Sequence, residues 1–180
     1  MFLDRIGIDM IGIVNEPSSP RFAKKEFNKM IRTKVSRPVV SVAINHDNLD
    51  LKADLIQVHR ILNDDELERL ETMSTSRFIL YVPVSEEGRI YLRKVVSHGF
   101  DKVLFDSPRR GLRTSLQLAK ELLDVFPDAG LAGGINPENV VDFVSLNPGW
   151  LDVSSGVEEY PGKKSRDKVM KIKEVIKGGV

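Results

Sequence analysis

Apolar and polar positions along this chain alternate between two textures. Short runs rich in Val, Ile and Leu, with few internal charges, recur at Gly7–Val14, Val39–Ile44, Leu55–His59, Phe78–Val82, Lys102–Asp106, Gly130–Gly133 and Trp150–Val153. Such runs predict strands buried on both faces. Between them the apolar positions take a helical period. Leu112, Leu116, Ala119, Leu122, Leu123 and Phe126 share one face, as do Val169, Ile172 and Ile176, and Phe22–Ile31 reads as another amphipathic helix. Asn136-Pro137-Glu138 is a helix start, with a capping side chain, a proline at the first helical position and an acid in the first turn. Asn63 before Asp64-Asp65-Glu66 and Ser85 before Glu86-Glu87 are weaker signals of the same kind.

Repeated strand–helix units predict a parallel sheet with right-handed crossovers. Left open, that sheet is doubly wound; closed, it is a TIM (β/α)8-type barrel. Seven units are evident rather than eight. No linker, low-complexity tract or composition shift divides residues 1–180, so one domain is expected.

Two corners near the C-terminal end have the chemistry of an anion site. The strand from Trp150 runs into Ser154-Ser155-Gly156, and the preceding strand runs into Gly133-Gly134 ahead of the Asn136 helix start. Small side chains leave backbone N–H groups open to close approach, so Gly133, Gly134, Ser154, Ser155 and Gly156 are expected to bind phosphate. Paired corners on neighbouring strand ends favour the barrel over the open sheet. Asp106 ends its strand and is either a catalytic carboxyl group or the cap of the Ser107-Pro108 turn. Asp152, inside a strand, must be paired or hydrogen-bonded, and either braces the mouth or touches substrate. His59 also stands at a strand end, as a base near neutral pH or as a packed residue orienting its neighbours.

Composition narrows the function classes. A hydrophobic fraction of 41% and a charged fraction of 29% describe a soluble globular domain. A net charge of +1 gives no electrostatic case for nucleic acid or an anionic membrane. No apolar run approaches the ~20 residues of a membrane span, and no signal peptide is evident. The absence of cysteine fits a cytoplasmic location and removes thiols as catalysts. His46, His59 and His98 show no metal-ligand spacing, so no metal site is expected.

The run Gly133-Gly134-Ile135-Asn136-Pro137-Glu138-Asn139, followed by Asp152-Val153-Ser154-Ser155-Gly156-Val157-Glu158 and Pro161-Gly162-Lys163-Lys164, resembles phosphoribosylanthranilate isomerase of tryptophan biosynthesis. The resemblance implies an Amadori rearrangement of a phosphosugar substrate, needing an acid and a base but neither metal nor organic cofactor. It implies that Asp106 is the general acid and that Arg21, in Pro17-Ser18-Ser19-Pro20-Arg21, holds the anthranilate carboxylate. A guanidinium fork suits that planar group. Without the resemblance, Arg21 reads as a solvated arginine ahead of a helix, and Glu158 with Lys163-Lys164 as a solvated loop and helix start. The loop Ser107–Arg113 departs from the family pattern, and its Arg109 and Arg110 are candidate anion ligands.

The family's general base is a cysteine on a first strand, in a Lys-Ile-Cys-Gly-type motif that no residue here matches. Met1–Ile6 resembles only the tail of the helix after that strand. Gly7–Val14 and Trp150–Val153 would then be open apolar sheet edges that invite pairing with another chain, hence a homodimer. The chain starts downstream of the true initiator (the favoured reading), or is a natural seven-strand form that dimerises, or is a decayed copy. The function classes are therefore an isomerase, a phosphate-ligand binder that lost its base, and a related barrel such as an indole-glycerol-phosphate synthase or a histidine-pathway isomerase. The two motifs argue against the last.

Overall fold

Seven parallel strands pair in chain order in the computed structural model, which describes residues 2–109 and 114–178, without the side chain of His46. They are β1 (Ile11–Val14), β2 (Val39–Ala43), β3 (Leu55–Val58), β4 (Phe78–Pro83), β5 (Val103–Asp106), β6 (Gly130–Leu131) and β7 (Trp150–Leu151). Around them run α1 (Phe2–Arg5), α2 (Lys25–Arg32), α3 (Asp64–Glu71), α4 (Glu86–Ser97), α5 (Leu116–Val125), α6 (Val140–Val144) and α7 (Arg166–Gly178). A hairpin of β8 (Glu158–Tyr160) and β9 (Lys163–Lys164) sits between β7 and α7.

Strand order decides between the two sheets that the sequence allows. Each strand pairs with its chain neighbour, as in Ile11 opposite Val39, Ile56 opposite Phe78 and Leu80 opposite Val103. A doubly wound sheet reverses its order partway; this one does not. It is a curled α/β half-barrel of the TIM type. Among the described residues β1 and β7 stand at its two ends without pairing to each other.

Alternate residues of each strand serve different layers, as a period of two requires. In β4, Phe78, Leu80 and Val82 join the large core beneath the helices, with Val95, Phe100 and Phe105. Ile79 instead faces the inside of the curl, with Val40, Leu104 and Ala132. Six consecutive buried residues in β4 are the expected signature of a strand covered on both sides. Burying each such Leu, Ile or Phe contributes about 1.5–3 kcal/mol.

Helix starts follow their caps. Asn63 and Glu66 form a reciprocal capping box at α3, and the Ser85 side chain accepts the Gly88 amide at α4. The Asn136 signal opens a turn before the regular helix. Its side chain accepts the amides of Glu138 and Asn139 at 2.9 and 3.1 Å, while Asn139 Oδ1 accepts the Asn136 amide, so α6 begins only at Val140. Glu158 with Lys163-Lys164 departs from the solvated reading: Glu158 is buried, and the segment is a hairpin turning at Gly162 with φ +89°. The expected helical residue Leu112 lies outside the described residues.

Candidate active site

Parallel strands deliver their C-terminal ends to one rim. There Glu16, Gln57 and His59, Tyr81, Asp106, Ala132–Gly134 and Asp152–Ser155 surround a cavity of about 1540 Å³. The neighbouring Asn15 is buried in a polar cluster with Asn28 and Ser41.

His59 and Asp106 meet on this rim, with Nε2 3.3 Å from Oδ2. Asp106 Oδ1 also accepts the Ser107 amide at 2.6 Å, so the carboxylate is fixed on its own strand end. On the other side of the ring, His59 Nδ1 lies 3.5 Å from the Gln57 side-chain nitrogen. An amide N–H there makes Nδ1 the acceptor and leaves the ring proton on Nε2, facing Asp106. The His59 ring packs on Tyr81 with centroids 4.6 Å apart. Burial, with Asp106 and Glu87 nearby, pushes the Tyr81 phenol up to about 12, so it remains a donor, here to the Ser107 carbonyl.

Asp152 faces the same cluster. Burial, reinforced by the negative charge of Asp106, raises its pKa against the opposing pull of His59, the Gln57 hydrogen bond and Lys164. Asp152 thus holds a proton more tightly than an ordinary aspartate does, at a mouth it shares with Asp106.

The two small-residue corners touch. A Cβ on Gly156 would fall 1.9 Å from the Ile135 carbonyl oxygen. One on Gly133 would fall 1.8 Å from Thr114 Oγ1 and 2.8 Å from Asp106 Oδ1. Gly133 and Gly134 have φ of +100° and +78°, a region that glycine enters without strain. Among the described residues, no acceptor takes the amides of Gly133, Gly134 or Ser154. Ser154 and Ser155 are exposed at the rim. Thr114, which nothing in the sequence singled out, donates to the Ala132 carbonyl at 2.8 Å and its amide reaches the Gly133 carbonyl, docking the β5–α5 connection on the first corner.

Arg21 lines the cavity from the β1–α2 loop and is clasped by Glu158. Nε lies 2.9 Å from each carboxylate oxygen and Nη2 2.6 Å from Oε2. The loop is pinned by buried Glu16. Burial pushes that acid's pKa up, but bonds from Asn48, the Asn45 and Ile44 amides and Ser18 outweigh burial and hold it below the usual range. Arg109 is exposed on the rim, its backbone bonded to Ser107 Oγ; Arg110 lies outside the described residues. His98 stands away from the mouth, 2.9 Å from Glu71.

Tyr81, Thr114 and Glu158 were missed in the sequence because their partners lie far along the chain, and Gln57 because its role depends on the turn of the His59 ring two residues on; only Gln57 and Glu158, inside runs that resemble the family, carried a signal. Among the described residues no group of three or more His, Cys, Asp or Glu could hold a metal ion, and no helix is long and apolar enough to cross a membrane.

A parallel sheet in barrel order with its titratable groups gathered on the C-terminal rim defines a TIM-barrel-type α/β protein. Comparison with known proteins narrows the class. Residues 4–175 match the family model of N-(5'-phosphoribosyl)anthranilate (PRA) isomerase. The chain is 43% identical over 178 residues to the N-(5'-phosphoribosyl)anthranilate isomerase of Sulfolobus acidocaldarius, covering 97% of this chain and 88% of that one. The crystal structure of phosphoribosyl anthranilate isomerase from Thermotoga maritima matches with a TM-score of 0.80 at 26% identity, over 99% of this chain and 92% of that one. A structure of such an isomerase in complex with reduced 1-(o-carboxyphenylamino)-1-deoxyribulose 5-phosphate matches at 0.79 and 25%, with the same coverage. The chain belongs to the N-(5'-phosphoribosyl)anthranilate isomerase family.

Proposed function

We propose that this mouth carries out the family's Amadori rearrangement in tryptophan biosynthesis, converting N-(5'-phosphoribosyl)anthranilate to 1-(o-carboxyphenylamino)-1-deoxyribulose 5-phosphate. Asp106 is the general acid. It protonates the ribose ring oxygen as the C1–O bond breaks, giving an iminium at C1; loss of the C2 proton then gives the enolamine, which becomes the ketone. Amides of Gly133, Gly134, Ser154, Ser155 and Gly156 bind the phosphate, and Arg21 holds the ring carboxylate. His59 orients Asp106, Asp152 faces the sugar hydroxyls, and Arg109 adds positive charge at the rim. The carrying observation is the direct packing of the Gly133 corner against Asp106, which sets an anion site beside a carboxyl group. The ligand of the related complex, with a phosphate at one end and an aryl carboxylate at the other, supports the same division of the mouth.

The test is fluorescence loss on adding phosphoribosylanthranilate. Turnover should fall by about 10²–10⁴-fold in Asp106→Asn, and near-parental activity in that variant would remove the acid assignment. One observation favours a second reading. The resemblance puts the base on a cysteine, and this sequence has none. Binding of the reduced product without turnover would support a phosphate-ligand binder. The apolar ends β1 and β7 support a homodimer paired through them, and the lack of cysteine supports a cytoplasmic setting. Sedimentation as a monomer would overturn the edge pairing.

A further inference from the structure

We propose that Glu158 is a positioning residue for substrate, presenting the Arg21 guanidinium to the ring carboxylate and tying it to the phosphate corner. This rests on the reading of Arg21 given above. Glu158 opens β8 and is 6% exposed, whereas Arg21 lines the cavity and Glu158 stands behind it. The carboxylate takes Nε and one hydrogen of Nη2, through contacts of 2.9, 2.9 and 2.6 Å. A guanidinium has five N–H groups in a rigid plane, so an acid that occupies one edge leaves the Nη1 side for a second planar carboxylate. An arginine without that partner would have to give up side-chain freedom on binding, which weakens affinity.

The same carboxylate reaches further. Its Oε1 accepts Lys164 Nζ at 3.1 Å and the Gly162 amide at 3.2 Å, and Lys164 Nζ also donates to the Ser154 carbonyl at 2.9 Å. Lys168 Nζ donates to the Glu158 backbone carbonyl. Arg21, from the first βα loop, and Ser154, from the last, therefore hang on one buried acid. Although burial opposes ionisation, Arg21 and Lys164 hold Glu158 charged. An anion bound at each end of the mouth would meet groups already fixed at a set separation.

The experiment compares two ligands by calorimetry, which works with or without turnover: reduced 1-(o-carboxyphenylamino)-1-deoxyribulose 5-phosphate and its counterpart lacking the ring carboxylate. Arg21→Ala should erase the preference for the carboxylated ligand. Glu158→Gln should weaken that ligand by about tenfold while changing the decarboxylated one much less. Glu158→Asp, which keeps the charge on a shorter arm and guards against misfolding of the glutamine variant, should fall between. If Arg21→Ala leaves the preference intact, the reading of Arg21 fails. If Arg21→Ala erases it but neither Glu158 variant reduces it, or if both ligands weaken equally in those variants, Glu158 only braces the fold and the proposal is overturned.

Discussion

Gly156→Ala tests the double corner most directly. The added Cβ would stand 1.9 Å from the Ile135 carbonyl oxygen and 2.8 Å from Asn136 Cβ. Carbon and oxygen in van der Waals contact need about 3 Å or more, so one corner must retreat from the other by roughly 1 Å. Neither side yields easily, because Ile135 is buried and the next residues are locked by the reciprocal Asn136–Asn139 bonds. Overpacking of this kind costs about 1–3 kcal/mol of stability. The effect on phosphate is larger in relative terms. An N–H donor moved by that distance goes from about 2.9 Å to nearly 4 Å from its anion, beyond hydrogen-bond range. Losing one charge-assisted bond of about 1.5–3 kcal/mol weakens binding by roughly 10- to 150-fold. Calorimetry with the reduced product, beside thermal melts, reads both quantities. Gly178→Ala, where a Cβ would meet nothing within 4 Å, is the control and should alter neither. A Gly156→Ala protein that melts normally and binds within twofold of the parent would refute the argument that these corners form one site.

Asp106→Asn should lower turnover by about 10²–10⁴-fold while leaving affinity for the reduced product within a few fold, as measured by single-turnover fluorescence and calorimetry. Asp152→Asn should raise the melting temperature, increasingly as pH rises. A carboxyl group with a raised folded pKa contributes fully below its unfolded value and loses that contribution as pH climbs through the folded one, so an uncharged substitute escapes the loss. Melts that rise equally at all pH values would contradict this. Asn63→Ala should cost about 1 kcal/mol in urea unfolding by removing the capping box of α3, with no effect on ligand binding.

The strands were legible because burial on both faces demands continuous apolar runs, and Phe78–Pro83 shows this most plainly. Their edges were less so. Gly7–Val14 contracts to Ile11–Val14, since Gly7 at φ +73° ends the turn after α1 and pairing with β2 starts only opposite Val39. Small-residue corners carry their own signature, so the turns at Gly133 and Gly156 could be placed from the sequence. Glu158 could not be read as buried, because nothing local distinguishes it from neighbouring Glu159; its environment comes from Arg21, 137 residues away. Thr114 and Tyr81 gain their roles the same way, from elements that meet only after the sheet curls.

Pairing of every strand with its chain neighbour has a consequence for how the molecule assembles and comes apart. Such contacts close short segments of chain, which makes them quick to form. The Arg21–Glu158 clasp and the Arg166 guanidinium over the Phe2 ring join opposite ends of the polypeptide and should form late on the route. Loosening either should leave the refolding rate nearly unchanged and hasten unfolding. The ends of the chain should thus govern how long the native state lasts, while its middle should govern how fast that state is reached.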